Sequence, residues 1–587
     1  MNNTVPFIPE NAPFTPEQRG WLNGYFAGIF SREPVQGMAS TSSLPVKPIS
    51  RPLKILYGSQ TGTAEGLAYE TAERAQAKGF EAEVLELDSC EAEQLLSAKR
   101  VLVITSTYGD GEMPDNAQSF WSTITAETAP KLSGISYSVC ALGDTNYETF
   151  CTAGREIDER LGALGASKLR DRVDCDVDYE DLYEQWVEES LSALLSEEGE
   201  ETVAAVKVDA SVTAKKAATY SKKKPFTTKL IENRELTLPG SGKEVRHFSI
   251  ALPETEIPYK VGDALSVCSK NHPGKVDALL ELLKLDGESP VKIAAGEMSL
   301  REAMTSFLEI RNPTKPWATQ LADKTLNAEL VTLLADAEVF SEFLYGREIF
   351  DFLKAFPADW TAQEWVDTLK PLQARAYSIS SSPKAHPDEV HLTIAAVRYE
   401  SQDRVQEGIC STFLANAAVD QELEVYLTPN KHFTIPEDAN APMIMVGPGT
   451  GVAPFRAFLE ERQATGAGGQ NWLFFGDRSS KTDFLYESEF SGMLKDGILN
   501  RLDLAWSRDQ EEKIYVQDRM RAQAEELYAW LENGGYFFVC GDAYRMAKDV
   551  EAALLDVIAS QGGKTPEEAN AYLANMKKEK RYVRDVY

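Results

Sequence analysis

The sequence predicts a multidomain chain of mixed α/β and β class. A doubly wound parallel sheet comes first, then an antiparallel β-barrel with a helical insertion, then a second α/β domain. Three observations predict this. At 587 residues the chain is too long for one core and suits three or four domains. Apolar strands alternate with helical segments near both ends, the pattern of parallel sheets. Between them, strand-like runs are interrupted by a helical block from about Asn271 to Lys370, which suggests a barrel with an insert.

Composition narrows the function. Hydrophobic residues at 43% and charged residues at 26% are ordinary for a globular protein. A formal net charge of −31 repels nucleic-acid backbones and suits a basic partner. The seven cysteines, at positions 90, 140, 151, 175, 268, 410 and 540, form no tight pair, so neither a zinc site nor an iron–sulfur cluster is signalled. Their scattered, odd count without a secretory leader predicts a reducing cytoplasm. The longest N-terminal apolar patch, "WLNGYFAGIF", is too short for a bilayer, so no membrane association is expected. The five histidines all lie between His247 and His432, so both ends of the chain work without imidazole.

Residues 1–50 read as an arm and tether. In "TPEQRGWLNGYFAGIF", Thr15 is a plausible N-cap, Pro16 fits the first helical position and Gln18 completes a capping box. Trp21, Leu22, Tyr25, Phe26 and Ile29 then recur at helical spacing before a Pro- and Ser-rich stretch. Such a helix either packs on its own domain or serves as an assembly arm; both readings stay open.

Residues 51–195 form the first α/β domain. Strands "LKILY", "EAEVLEL", "RVLVITS" and "ISYSVCAL" alternate with helices, and ligands of such sheets bind beyond the strand carboxyl ends. Three loops fall there: "SQTGTA", "STYGDGEMPDN" and "LGDTNYETF". The first faces a helix N-terminus that favours an anion, yet lacks the GK[ST] of nucleoside-triphosphate loops. Hydroxyls of Ser59, Thr61 and Thr63 suit a small phosphate monoester, and Tyr108 and Tyr147 can sandwich a flat ring. A single loop Tyr is usually a packing residue, but three loops converging on one sheet edge point to FMN. From residue 53 to 190 there are 27 acidic against 11 basic side chains, a difference of −16. Solvation explains most acidic faces; beside a flavin the same face would steer electrons to a basic acceptor.

Residues 196–222 have few large apolar side chains and read as an interdomain linker and hinge. Residues 223–436 form the barrel, with strands such as "FTTKLIENRELT" and "EVHLTIAAVRY"; "EGICSTF" precedes a helix in an anion-binding arrangement. In residues 437–587, "PMIMVGPGTGVAPFRAFLEER" is a strand, a Gly/Pro turn and a helix, although its G-x-G-x-G-x-x-P spacing departs from GxGxxG. Ser507, Arg508, Lys513, Tyr515 and Gln517 cluster after one strand, a set suited to a 2′-phosphate and hence to NADPH rather than NADH.

The order of these parts, with "RAYS", "GPGTGVAPFR", "SRDQEEKIYVQD" and "VCGDAYRMAKDV", resembles the diflavin reductases over residues 53–587. "NWLFFGD", "LDLAWSRDQ" and the ending "KRYVRDVY" are similar to the members that serve assimilatory sulfite reductases in cysteine biosynthesis. The resemblance implies a flavodoxin-like FMN domain, an FAD-binding barrel and a C-terminal NADP-binding domain. It implies FMN contacts from Ser59, Gln60, Thr61, Gly62, Thr63 and Ala64, and from Ser106, Thr107, Tyr108 and Gly109. It adds Leu142, Gly143, Asp144, Thr145, Asn146, Tyr147, Glu148, Thr149, Phe150 and Cys151. FAD contacts are implied for Arg375, Ala376, Tyr377, Ser378, Thr393, Ile394, Ala395 and Tyr399. Gly408, Ile409, Cys410 and Ser411 would hold its pyrophosphate, and Tyr587 would cover the flavin ring. NADPH contacts are implied for Gly447, Pro448, Gly449, Thr450, Ser507, Arg508, Lys513, Ile514, Tyr515, Val516, Gln517 and Asp549.

Ser378, Cys540 and Asp585 match the group that assists hydride transfer, although a strand cysteine is commonly an inert thiol. Ala395 and Ala396 stand where the family pattern expects glycine, and Cys410 interrupts the pyrophosphate loop. The resemblance further implies electron flow from NADPH to FAD to FMN, then to a separate sirohaem and iron–sulfur subunit that reduces sulfite to sulfide. It also implies homo-oligomerisation through the N-terminal arm. A general one-electron reductase for another haem or quinone acceptor, or a flavin sensor without turnover, are the alternatives.

Overall fold

The computed structural model describes residues 51–59, 62–109, 111–145, 149–177, 179–196, 220–222, 224–252 and 257–587. The expected arm and tether, nearly all of the linker, and Gln60, Thr61, Asn146, Tyr147 and Glu148 lie outside the described residues.

The first sheet contains β1 (Pro52–Gly58), β2 (Glu81–Glu86), β3 (Arg100–Ser106), β4 (Ser136–Leu142), β5 (Ser167–Lys168) and β6 (Val173–Cys175). Its order is β2-β1-β3-β4-β5, with β6 also paired to β4, and every pairing is parallel. Strands β1, β3 and β4 are near-continuous apolar runs because helices cover both faces. One face buries Ile55, Leu102 and Ile104 against Leu67, Ala68 and Trp186. The other buries Leu56, Val103 and Val139 against Phe120 and Ile157. Strand order reverses between β1 and β3, so the loops after β1, β3 and β4 gather at one ligand-binding edge.

The second sheet is antiparallel, built from β7 (Phe226–Glu235), β8 (Glu244–Ala251), β9 (Ala264–Cys268) and, beyond the insert, later strands. The insert holds helices such as Pro273–Leu283 and Lys315–Thr325, and also a short hairpin of β10 (Pro290–Ile293) and β11 (Gly296–Ser299). The chain returns through β12 (Arg375–Ser378), β13 (Glu389–Ala396), the β14–β15 hairpin (Arg398–Ser401 and Arg404–Glu407) and β16 (Glu422–Thr428). The order is β12-β9-β16-β7-β8-β13, and an Ile379–Leu392 bridge brings the two edges together as a barrel. Inside it, Phe248, Val267, Val390 and Leu423 alternate with outward residues.

"EVHLTIAAVRY" is two strands rather than one. The chain breaks at Val397, where the Gly408 amide bonds back to the Val397 carbonyl. Gln402 and Asp403 then turn β14 into β15 with positive φ at both positions, which matches strand twist without any glycine.

The third sheet is β17 (Met443–Val446), β18 (Asn471–Asp477), β19 (Arg501–Trp506), β20 (Tyr536–Gly541) and β21 (Tyr582–Val586), in order β19-β18-β17-β20-β21 and wholly parallel. Its reversal lies between β17 and β20. The core on one face is closed by the Met546–Gly562 and Pro566–Lys578 helices. On the other face Phe455 and Phe458 pack with Val245, Val261 and Phe433 of the barrel, so the two parts share one core.

Candidate cofactor sites

The loops of the first sheet are fastened to one another. The Ser59 hydroxyl accepts the Gly62 amide at 2.9 Å, and the Ser59 amide donates to Asn116 Oδ1 at 2.8 Å. Gly62, at φ 91°, caps the Thr63–Ala77 helix without a side-chain acceptor, which leaves amides for an anion. Thr107 donates its amide to the Leu142 carbonyl at 2.9 Å and accepts the Ala153 amide on its hydroxyl at 3.2 Å. Thr145 donates from amide and hydroxyl to Asp176 at 3.0 and 2.5 Å, and Lys370 of the insert reaches the same carboxylate at 2.7 Å. A Cβ on Gly143 would lie 2.8 Å from the Cys151 amide nitrogen, so only glycine lets this loop close on the Thr152–Ala163 helix.

Thus Ser59, Gly62, Thr63, Ala64, Ser106, Thr107, Tyr108, Gly109, Leu142, Gly143, Asp144, Thr145, Thr149, Phe150 and Cys151 fall at one sheet edge, as the alternation requires. The helix-start amides without a side-chain cap are donors of the kind an anion takes. Glu65, in the first helical turn, makes an interdomain contact with Lys431 at 2.9 Å and His432 at 3.5 Å, and its Oε2 would lie 3.9 Å from a Cβ built on Gly62. Burial alone would raise this carboxyl, yet hydrogen bonds from His432 and Lys431 hold it down to about 2.

In the barrel, Arg375, Ala376, Tyr377 and Ser378 form β12. The Tyr399 hydroxyl accepts from Arg311 Nη2 at 3.2 Å. Gly408 and Ser411 clasp Val397 from two sides, with the Val397 amide donating to Ser411 Oγ at 3.1 Å. Ile409 is half-buried in the Ile409–Ala415 helix that begins here. Cys410 is buried and points back towards the Val267 carbonyl, and burial pushes its thiol up to about 11. It occupies the loop as packing, away from the open side. Thr393 turns into the seam with the third sheet, where its hydroxyl meets Tyr486 Oη at 2.6 Å, and Ile394 is in the barrel core. Ala395 is half-buried beside them on β13.

In the third sheet, Gly447, Pro448, Gly449 and Thr450 make the turn after β17. A Cβ on Gly451 would lie 2.1 Å from the Cys540 carbonyl, so the loops after β17 and β20 cross in near contact. Ser507 donates its amide to the Asp477 carbonyl at 2.9 Å. Arg508 and Lys513 are exposed, and neither has an ion-pair partner among the described residues. Tyr515 is 44% exposed beside them, Ile514 and Val516 pack inward, and Gln517 donates to Asp549 at 3.2 Å. These cations suit a 2′-phosphate.

The three parts meet at the C-terminus. The Ser378 hydroxyl donates to Asp585 Oδ2 at 2.7 Å, and the Cys540 thiol lies 4.0 Å from the same oxygen. Strand register pairs Cys540 with Asp585. Burial raises the Asp585 carboxyl above its ordinary range, against the lowering bond from Ser378; burial and then the Asp585 charge raise the Cys540 thiol. The Tyr587 hydroxyl lies 3.0 Å from Thr450 Oγ1. The Tyr108 hydroxyl donates to the Val586 carbonyl at 2.8 Å, joining the first sheet to the same strand.

Sequence reasoning missed Asn116, Asp176 and Arg311. Asn116 sits within the quoted second loop and Asp176 within the Asp-rich stretch "DRVDCDVDYED" at the tail of the first domain, where the family resemblance implies a flavin contact without naming a residue; Arg311 acts from the distant insert, which carried no signal.

The chain matches the family described as "Flavodoxin" over residues 55–214, "FAD binding domain" over 218–413 and "Oxidoreductase NAD-binding domain" over 445–552. It is 42% identical to the "Sulfite reductase [NADPH] flavoprotein alpha-component" of Bacillus subtilis, across 100% of this chain and 97% of that protein. The protein of the same name from Mannheimia succiniciproducens is 39% identical, with both chains covered in full. That from Photorhabdus laumondii is 40% identical, across 98% and 96%.

Proposed function

The chain belongs to the family of NADPH-dependent sulfite reductase flavoprotein alpha-components, and from that premise we propose that its residues relay electrons from NADPH, through FAD and FMN, to a separate sirohaem-bearing subunit. It is an NADPH-dependent flavin oxidoreductase with an FMN, an FAD and an NADP domain. When bound, the flavins and nicotinamide supply hydride acceptance and release of single electrons; the protein supplies position.

One observation supports this order above others. Residues 582–587 are touched from all three parts: Ser378 of the barrel reaches Asp585, Thr450 reaches Tyr587, and Tyr108 of the first sheet reaches Val586. We assign FMN to the edge of the first sheet, FAD to the barrel face of β12 and the loop from Gly408 to Ser411, and NADPH to the Gly447–Thr450 turn with Arg508 and Lys513.

Each nearby group then has a task. The Ser378 hydroxyl keeps the Asp585 carboxylate at the strand edge. Asp585, with its raised pKa, holds a proton more readily than a solvated carboxylate would. The Cys540 thiol stays protonated and gives a small, uncharged wall. Thr450 steadies the exposed Tyr587 ring, which would cover the flavin ring of bound FAD and give way to the nicotinamide.

The partner follows from cysteine chemistry. An iron–sulfur cluster of the sirohaem type needs four grouped thiolates; among the described residues Cys140 and Cys175 meet at 3.8 Å, but no larger set of cysteines lies within ligand distance of one another. Sulfite chemistry therefore belongs to another subunit, and six electrons must reach it for each sulfide. We assign self-assembly to residues 1–50, which light scattering of the chain lacking them tests. Among the described residues no helix is long and apolar enough to cross a membrane.

The decisive experiment incubates NADPH and sulfite anaerobically with this protein, with and without the sirohaem subunit, and measures sulfide. Sulfide only from the mixture is expected. Bleached flavins without sulfide in the presence of a competent haem subunit would assign the electrons to another acceptor.

A further inference from the structure

Strand β13 opens on a group of side chains that the electron path leaves unused. Glu389 and His391 are two residues apart on β13, so they lie on the same face of the sheet. The turn before the strand brings His386 back to them, with its amide donating to the Ser382 carbonyl at 2.9 Å. His386 Nδ1 then lies 3.6 Å from Glu389 Oε1, and His391 Nε2 lies 3.5 Å from Glu389 Oε2. The ligand atoms of the three residues fall within 4.8 Å of one another.

The two shorter separations are long for hydrogen bonds. They come close to the edges of a tetrahedron around an ion bonded at about 2.0–2.1 Å, which measure roughly 3.3 Å. The neighbours support the same reading. His386 Nε2 faces Glu460 Oε1 at 3.4 Å, so its second nitrogen has the carboxylate partner that orients a ligating imidazole. The Ser249 hydroxyl donates to Glu389 and fixes that carboxylate. The His386 and Glu389 side chains are 28% and 31% exposed, which gives an ion a way in and water a place beside it.

Arg456 is the one cation against this group, with Nη1 3.2 Å from His391 Nδ1. Coordination through Nε2 puts the His391 proton on Nδ1, so that contact is given up. The guanidinium keeps the Ser380 carbonyl at 2.6 Å, Glu460 at 2.8 Å and Glu489 at 2.6 Å. Glu389, Glu460 and Glu489 then offset the ion and the arginine between them.

We propose that His386, Glu389 and His391 bind one zinc ion, with water as the fourth ligand. Two imidazoles and a carboxylate suit zinc, whereas magnesium takes oxygen ligands. The cysteine pattern gave no sign of such a site because its ligands are not thiolates. Through Glu460 the ion ties β13 of the barrel to the Ala453–Thr465 helix of the C-terminal domain, and its binding steadies that seam.

The test uses the full flavin-loaded protein, stripped by a chelator and dialysed against micromolar Zn²⁺ with excess Mg²⁺. One zinc per chain is expected by elemental mass spectrometry, and Tm is expected to rise with zinc. H386Q and E389Q, both at partly exposed positions, are expected to lose the zinc and the rise while keeping their flavins. A parent protein without zinc, or variants that hold as much zinc as the parent, would overturn the proposal. X-ray absorption at the zinc edge of the parent reads the ligands even if neither variant folds. Two imidazoles with oxygen neighbours are expected. Sulfur neighbours would assign the ion to cysteines, and oxygen alone to the acidic surface; either result would overturn the proposal.

Discussion

Asp585 shows how much one residue's setting decides. Ser378 Oγ at 2.7 Å and the buried Cys540 thiol surround a carboxyl whose pKa burial has already raised. In water its charged form would be favoured; here a neighbouring proton is easier to keep. D585N preserves the shape but removes the titrating oxygen. The rate of flavin reduction by NADPH in stopped flow is expected to fall about 100-fold, with NADP⁺ affinity little changed. A normal rate would remove Asp585 from the reaction. S378A, which frees the carboxylate without deleting it, is expected to give a smaller loss and a shifted pH profile.

At the scale of elements, β8 and β13 carry a second consequence of burial. Thr393 pairs with His247 in register, and the His247 and His391 rings meet at 4.7 Å in the seam between barrel and C-terminal domain. Arg456 faces them from the Ala453–Thr465 helix, with Glu460 on the same helix; Tyr486, Glu389, Glu232, Arg234 and His386 complete the surroundings. Burial, reinforced by His391 and Arg456, lowers His247 to about 2; burial and Arg456 lower His391 to about 3. His386 is different: its hydrogen bond to Glu460 raises it, so its stabilising effect is complete below pH 6.5 and fades as pH rises further. Below pH 6.5 the unfolded chain takes up protons at His247 and His391 that the folded chain refuses. Stability therefore falls with pH by at most about 1.4 kcal/mol per unit for each. Thermal unfolding is expected to show a drop in Tm from pH 6.5 to 5.0, smaller in H391Q than in the parent; equal drops would refute the account. These elements also mark what the sequence revealed. The strand–helix alternation of both α/β domains was legible because each buries an apolar run on two faces. Hairpins β10–β11 and β14–β15 were not: their strands are four residues long, and Gln402 and Asp403 turn without glycine. Nor could periodicity show that the Thr393 hydroxyl meets Tyr486. The Ser378–Asp585 and Tyr108–Val586 contacts span 207 and 478 residues, and only tertiary packing creates them.

For the whole molecule, the acidic balance of the first domain acquires a direction. Glu65 meets Lys431, Glu86 meets Lys580, Glu112 meets Lys548, Asp115 meets Arg584, and Asp176 meets Lys370. In each of these pairs the acid lies on the first domain and the base on the remainder, so the domain docks by charge. Several of the pairs are well exposed and contribute about 0–1 kcal/mol apiece. Arg584 and Asp115 are more buried, and breaking that pair would leave the guanidinium uncompensated. The docked edge also holds Tyr108 against Val586, so the loops assigned to FMN face the C-terminal strand and cannot at once face an outside acceptor. On the proposed FMN assignment, release would precede delivery to an outside acceptor, and the small net strength of the exposed pairs favours such release. Raising salt from about 0.05 to 0.5 M shortens the screening length to a few ångströms, which weakens the exposed pairs and spares the buried one. The radius of gyration in small-angle X-ray scattering is therefore expected to increase with salt. D115N, which removes the pair that salt spares, is expected to move that increase to lower salt concentration. A radius that ignores salt in both proteins would mean that apolar packing, not charge, holds the first domain in place.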